Sequence, residues 1–186
     1  MSEKPNNRRV SKAEWLATGL DALEEGGVDA VRVELLAKQL GISRSGFYWH
    51  FKDRKDLHRD ILAYWRNEFT DVVIRNVGAM GGSPEDRLVA LTEMIAKYKL
   101  TRHELAIREW AKHDPEARAA VAQVNKVRLD FVRSLFSEMG FKDDELEMRT
   151  MLFVCYQSWE APTFFDMPAS KLNKLRKFRL RLLTRK

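Results

Sequence analysis

The sequence predicts an all-α protein, and three observations carry that prediction. Apolar residues recur at helical spacing along nearly the whole chain, and period-two alternation never lasts long enough for a strand. The five prolines and nine glycines fall mostly between the periodic segments. Several of those segments open on Ser or Asp followed by acidic residues, which is the pattern of a capped helix start. The expected architecture is an N-terminal three-helix domain with a helix-turn-helix, joined through a long linker helix to a C-terminal helical bundle. About nine helices are expected in total.

Each element follows from its residues. Ser11 and Glu14 make a capping box ahead of the stripe Trp15, Leu16, Gly19, Leu20 and Leu23, and Gly26-Gly27 closes that first helix. Val33, Leu36, Ala37 and Leu40 form a short second helix ended by Gly41, and Ser43 is placed to cap a third running to about His50. A fourth begins near Asp53 or Lys55 and carries Leu57, Ile61, Leu62, Trp65, Phe69, Val72 and Val73 to about Val77. The glycines between residues 78 and 82 mark a hinge, and Ser83-Pro84-Glu85-Asp86 starts the next helix with a cap, a first-turn proline and two acids favoured by the helix dipole. Another helix covers about 102–113. Asp114-Pro115-Glu116 repeats the start signal for a long helix to about Met139, where Gly140 ends it. Asp143 restarts a helix through Cys155 to about Glu160. Pro162 and Pro168 bracket a break before a last, basic helix. The expected division is residues 1–55 as one domain and 56–186 as the other.

Composition narrows the class. A chain of 186 residues with 45% apolar content can build a core, and no run of about 18 apolar residues exists. The N-terminus MSEKPNNRRVSK lacks the apolar stretch of a signal peptide, and a single cysteine fits a reducing compartment, so a soluble, cytoplasmic protein is expected. The net charge is +6, but its distribution matters more. Residues 1–60 hold 11 Lys/Arg against 10 Asp/Glu and residues 61–170 hold 14 against 17, while residues 171–186 hold 8 against none. The basic excess is therefore a property of the last helix, and net charge alone is weak support for a nucleic-acid partner.

The stretch GISRSGFYWHF, residues 41–51, carries the chemistry. In a helix-turn-helix the second helix of the motif lies in the DNA major groove with its N-terminal residues at base edges. Ala37 is small where two helices cross and Gly41 permits the tight turn, while Leu36, Leu40, Ile42 and Phe47 fill the space between them. Ser43, Arg44, Ser45 and Gly46 form a close-approach end, at which Arg44 can reach guanine acceptors. Tyr48 and His50 can donate hydrogen bonds to phosphates, which set register without reading sequence. Phe47 and Phe51 share one side and point inward. Trp49 is open to two roles, a base contact or local packing. Lys55 sits in the first turn of the following helix, a place suited to a phosphate.

On these residues the chain resembles the DNA-binding domain of the TetR (tetracycline-repressor-like) family of bacterial transcriptional regulators. The likeness covers residues 10–57: the capped first helix, Leu36-Ala37 through Leu40-Gly41-Ile42-Ser43, and above all FYWHFKDRKDL, residues 47–57. The resemblance implies a homodimer that binds a palindromic DNA operator. It also implies a variable helical C-terminal domain that dimerises and often takes a small-molecule inducer. By position, Tyr48, His50 and Lys55 would contact phosphates, and Arg44, Ser45, Gly46 and Trp49 would face bases. One departure stands out: the family commonly begins its second helix with Ser or Thr, and this chain has Val31-Arg32-Val33. Arg32 can replace the lost phosphate contact by charge, but the cap is gone. Arg8 and Arg9 can serve as a minor-groove arm.

Residues 110–141 are similar to a segment of some TetR subgroups. Helices near 115–139 and 143–160 carry the stripes Val121, Val124, Leu135, Met139 and Leu146, Met151, Leu152, Cys155, Trp159. Such stripes either pair with a second copy as a four-helix interface or pack inside one subunit. Candidates for an effector pocket are Trp65, Phe69, Met94, Tyr98, Trp110, Phe131 and Tyr156, each of which serves equally as plain core. His103, Glu104, Arg108 and Glu109 can bind a charged effector or form a solvated face, and Cys155 is expected to be a buried apolar thiol rather than a redox sensor. The tail KLNKLRKFRLRLLTRK is a basic amphipathic helix expected to cap the bundle.

The expected function is thus a dimeric repressor released from its operator by a small effector. The competing classes are a non-catalytic basic-tail module binding membrane surface or nucleic acid non-specifically, and a small all-α enzyme. No G-x-S-x-G, H-E-x-x-H, P-loop or CxxC pattern occurs, so an enzyme, a metal site or a cofactor is not expected, nor is a membrane partner.

Overall fold

The computed structural model describes residues 9–185, so Arg8, half of the expected minor-groove arm, lies outside the described residues. Among them the secondary structure is helical throughout, with nine α-helices, two 3-10 segments, one π turn and no strand. The helices are α1 (Lys12–Gly26), α2 (Val33–Gln39), α3 (Arg54–Arg66), α4 (Val72–Gly78), α5 (Pro84–Lys97), α6 (Glu104–Trp110), α7 (Pro115–Glu138), α8 (Asp143–Thr163) and α9 (Ala169–Thr184). They form two compact units. One comprises the N-terminal helices through Asn67 together with His103–Ala122, and the other comprises Glu68–Arg102 with Gln123 onward.

In the first unit α1 starts at the expected capping box: the Ser11 hydroxyl accepts from Glu14 N, and the Glu14 carboxylate accepts from Ser11 N at 2.9 Å. Its buried face, Trp15, Leu16, Leu20 and Leu23, packs against α2, α3 and α6. Gly19 permits the approach of α3, because a Cβ there would lie 2.6 Å from Ile61 Cδ1. Gly41 takes φ +68°, the left-handed turn that only glycine adopts without strain, and ends α2 as expected. The third helix differs from expectation. Residues Arg44–Trp49 form a 3-10 helix rather than an α-helix, and Ser43 makes no capping bond. Its Oγ instead lies 2.7 Å from Ser45 Oγ, and Gly46 N and His50 N close i→i−3 bonds to Ser43 O and Phe47 O. Six residues with a central glycine gain too few α-type bonds to hold the wider helix.

The expected fourth helix is α3 plus α4, with a π turn over Asn67–Asp71 between them. α6 is shorter than expected, and its polar residues divide, with Glu109 exposed and paired with Lys112 while His103 and Glu104 are buried. Glu104 is buried and accepts from Arg108 Nε at 3.0 Å, and buried His103 places Nδ1 3.2 Å from the Glu24 carboxylate.

In the second unit α5 opens on the Ser83–Asp86 capping box. Val77, Leu88, Leu135, Phe136 and Phe153 are fully buried at its centre, joined from α9 by Leu180 and Leu183. Arg133 holds α7 to α8 through both oxygens of Glu147, at 2.7 and 2.9 Å. Arg149 lies 3.9 Å over the Phe141 ring and donates to the Leu183 and Arg185 carbonyls, capping the end of α9. Pro162 does not break the chain. It sits in the last turn of α8, where a proline kink leaves few downstream bonds to lose, and the break falls at 164–168.

The two stripes proposed for pairing part company. Val124 and Leu135 of α7, with Met139 just beyond its end, are buried within the subunit, while Val121 is half-buried, so most of that stripe is spent inside the subunit. On α8, Leu146 packs against the core, but Met148, Met151, Leu152, Cys155 and Trp159 lie exposed along one face, about half open. Cys155 is therefore not the buried thiol expected. α9 adds a second open apolar row, Leu175, Phe178 and Leu182, while its opposite side supplies the core.

Candidate nucleic-acid interface and helical-bundle cavity

The 3-10 segment splits its aromatic rings between two environments. Phe47 is 1% exposed and Phe51 is 2% exposed, and the two rings pack at 5.1 Å. Trp15 meets them edge-on at 5.6 and 6.4 Å. Tyr48 leans edge-to-face on Phe47 at 5.2 Å yet keeps 63% of its surface open, and Trp49 is 85% exposed. Local packing is thereby removed as the role of Trp49.

The polar candidates stand around this turn. Arg44 is exposed and pairs with Glu34 of α2 at 3.2 Å. Arg32 is exposed at the N-cap of α2, where its Nε donates to the Asp29 carbonyl at 2.9 Å; it supplies charge but no side-chain cap. Ser43 and Ser45 are exposed and bonded to one another. Gly46 is half-buried, and a Cβ there would come within 3.3 Å of Ile42 Cδ1, so glycine keeps the turn close to α2's end. His50 is half-buried, with Nε2 2.9 Å from the Val10 carbonyl, a bond that ties the turn to the start of α1.

Lys55 is exposed in the first turn of α3, whose N-cap Asp53 accepts from Asp56 N at 2.8 Å. The Lys52 N–H donates to the Asp56 carboxylate at 3.0 Å, and this bond, with help from the nearby Arg59 charge, holds its pKa below the usual carboxylate range. Two cations here escaped the sequence reading. Lys52 is exposed three residues before Lys55. Arg54 donates from Nε to the Val31 carbonyl at 3.0 Å and from Nη2 to Val28 at 2.8 Å, which locks α3 onto the turn preceding α2.

The second unit carries a partly open cavity of about 50 Å³. Of the seven effector candidates it brings together Phe69 and Phe131, with Val73, Leu91, Ile95, Val132 and Phe153 completing an apolar wall. The other five do not line it. Met94 packs against the core, Tyr98 is exposed beside Lys97, and Tyr156 stacks on Phe164 under the Arg179 guanidinium. Trp65 and Trp110 are buried in the first unit, with Trp110 edge-on to His58 at 5.1 Å. The cavity's polar lining went unread: Thr70, Thr101, Arg128, Gln157 and Ser158. Arg128 Nε donates to Thr70 Oγ1 at 3.1 Å, and Gln157 Nε2 reaches Thr92 Oγ1 at 3.5 Å. Polar residues on otherwise apolar faces were the available signal at 70, 157 and 158.

Residues 16–61 match the family model described as bacterial regulatory proteins, tetR family. No curated protein sequence matches the chain. Among solved structures it is similar to a transcriptional regulator from Rhodococcus sp. Rha1, with a TM-score of 0.72, 18% identity and 94% of each chain covered. FadR from Bacillus subtilis, solved in complex with stearoyl-CoA, aligns at TM-score 0.68 and 17% identity over 94% of this chain and 98% of that one. The ketosteroid regulator KstR2 of Mycobacterium tuberculosis aligns at 0.61 and 16% over 97% of each. At such identities the likeness is one of fold.

Proposed function

We propose, from an N-terminal domain that belongs to the tetR family of bacterial regulatory proteins, that this protein is a ligand-responsive repressor of transcription in the cytoplasm. Residues 1–55 act as the DNA-reading head, and 56–186 as the dimerising and effector-binding part. The observation that carries the DNA reading is the anchored turn, on which Phe47 and Phe51 are buried while Tyr48 and Trp49 stand in solvent. In this reading Arg44, Ser45, Gly46 and Trp49 meet base edges, and Tyr48, Lys55, Arg32 and Ser43 meet phosphates. His50 would reach a phosphate through Nδ1, since Nε2 is held by Val10.

The protein acts as a homodimer, which presents two heads to a palindromic operator. The open apolar rows of α8 and α9 support this pairing, because a monomer would leave both in water. The cavity supports an effector site, and FadR with its stearoyl-CoA and KstR2 by its name favour an apolar one. Phe69, Val73 and Ile74 line the cavity and lie on the chain segment that continues directly from α3, so repacking them on effector binding acts on the helix that holds Lys55.

Selection of bound fragments from the source genome, followed by titration against competitor DNA at fixed salt, tests the proposal. A two-fold symmetric site bound at least 10³-fold more tightly than competitor is expected. Lys55→Ala should weaken all sequences alike and reduce the salt slope by about one. Equal affinity for operator and competitor would overturn the proposal.

A further inference from the structure

We infer that Arg54 is a positioning residue of the DNA-reading head, and that its hold is released when His58 takes up a proton. The inference rests on the DNA-reading role proposed above and adds a pH dependence to it. α2 begins without a side chain over its free N–H groups, because its N-cap is Arg32, which makes no capping bond. The chain entering α2 is held from another helix instead. Arg54, the first residue of α3, donates from Nε to the Val31 carbonyl at 3.0 Å and from Nη2 to the Val28 carbonyl at 2.8 Å. Those carbonyls bracket the 3-10 turn Val28–Ala30 that leads into α2. A planar guanidinium with two donors engaged fixes distance and angle together, which a single ammonium does not. Since α2 packs on the Arg44–Trp49 segment, Arg54 sets where that segment sits relative to Lys55, its neighbour in α3.

His58, one turn further along α3, makes this hold sensitive to protons. Arg54 Nε lies 3.3 Å from His58 Nε2, which accepts only while the ring is neutral. Trp110 covers the imidazole edge-on at 5.1 Å. The charged groups around the ring are Arg54 on its own helix and Asp114 and Glu116 from the turn into α7. Burial and the Arg54 charge favour the neutral ring, against the Val31 carbonyl and the two carboxylates, which favour the charged one. Protonation inverts the contact. Nε2 then carries a hydrogen, stops accepting from Arg54, and competes for the Val31 carbonyl that Arg54 uses. Two cations also adjoin, and Arg54, the more exposed of the pair, moves out to solvent. The hold is therefore present while His58 is neutral and is lost as pH falls through its lowered pKa.

The test is fluorescence anisotropy on the selected operator and on competitor DNA at fixed salt, from pH 7.5 to pH 5.5, with circular dichroism confirming the fold at each pH. In the wild type the ratio of operator to competitor affinity should fall at least about fivefold as pH drops, the scale of losing part of a charged hydrogen bond. Competitor affinity alone should hold or rise, because the head gains a positive charge. His58→Gln keeps an acceptor for Arg54 but takes no proton, so its ratio should stay level. Arg54→Lys keeps the charge but cannot span two carbonyls, so its ratio should already be low at pH 7.5 while competitor affinity matches the wild type. Should that variant fail to fold, the wild-type and His58→Gln profiles decide. A level wild-type ratio, a His58→Gln ratio that falls as far as the wild type's, or an Arg54→Lys ratio equal to the wild type's overturns the inference and leaves the DNA-reading proposal standing. A wild type with no operator preference at pH 7.5 overturns both.

Discussion

Replacing Phe47 and Trp49 with alanine, one at a time, separates the two tasks of the turn. Phe47 is 1% exposed and packs on Trp15 and Phe51, so its removal leaves a void in a filled aromatic cluster. A buried Phe→Ala change costs about 3–5 kcal/mol. For a chain of this length each kcal/mol lowers the melting midpoint by roughly 2–4 °C, so Phe47→Ala should melt about 6–20 °C lower. Trp49 is 85% exposed and should cost no more than about 0.5 kcal/mol, hence about 2 °C at most. Operator affinity reverses the order of interest. If the indole meets base edges, losing that contact removes about 1–3 kcal/mol, roughly a 5- to 150-fold rise in Kd, from a protein that is still folded. Thermal melts paired with fluorescence anisotropy on a labelled operator give both numbers. The division of labour is refuted if Trp49→Ala melts as low as Phe47→Ala, or if it binds operator with unchanged affinity.

Two further outcomes follow from single side chains. Burial, reinforced by the Arg54 guanidinium, holds the His58 pKa below its ordinary 6.5. Below pH 6.5 the unfolded chain therefore takes up a proton that the folded chain resists, and stability falls as pH drops towards the lowered folded value. The melting midpoint of His58→Gln should decline less between pH 7 and pH 5 than that of the wild type, and parallel profiles would show that His58 is not the source. Leu152→Glu places a charge in the middle of the open α8 face, so light scattering should report the 21.7 kDa monomer where the wild type reports twice that mass. A dimer that persists in this variant pairs through some other surface.

Local features were legible in the sequence because their physics is local. The capping boxes Ser11–Glu14 and Ser83–Asp86 each span three residues, and the positive-φ glycines Gly27, Gly41 and Gly140 sit where the apolar stripes stop. The inward Phe47 and Phe51 were readable from their i, i+4 spacing. What escaped depends on partners far along the chain. The His50–Val10 bond spans 40 residues, Arg54–Val28 spans 26, and Arg128–Thr70 spans 58. Periodicity also cannot tell a stripe spent on the subunit's own core from one left open. Leu135 of α7 and Leu152 of α8 belong to similar patterns, but one is fully buried and the other half-exposed.

The same limit applies to Arg44, whose position suggests a base contact but whose partner in the folded chain is Glu34, 3.2 Å away. Both side chains are more than half exposed, and such a pair contributes about 0–1 kcal/mol, screened further by salt. It is therefore weak enough for a guanine to displace, so the pair parks Arg44 rather than locking it. The carboxylate, however, remains at the interface after the arginine has left, where it repels nearby phosphates. Glu34→Gln should consequently leave the melting midpoint within about 4 °C and tighten binding to competitor DNA by roughly three- to tenfold. The ratio of operator to competitor affinity should fall less than about fivefold, because an exposed pair can contribute no more than that to aiming Arg44. Competitor affinity that stays level or weakens would mean that Glu34 faces away from the DNA backbone. Arg44 would then be held on the wrong side of the turn to reach a base.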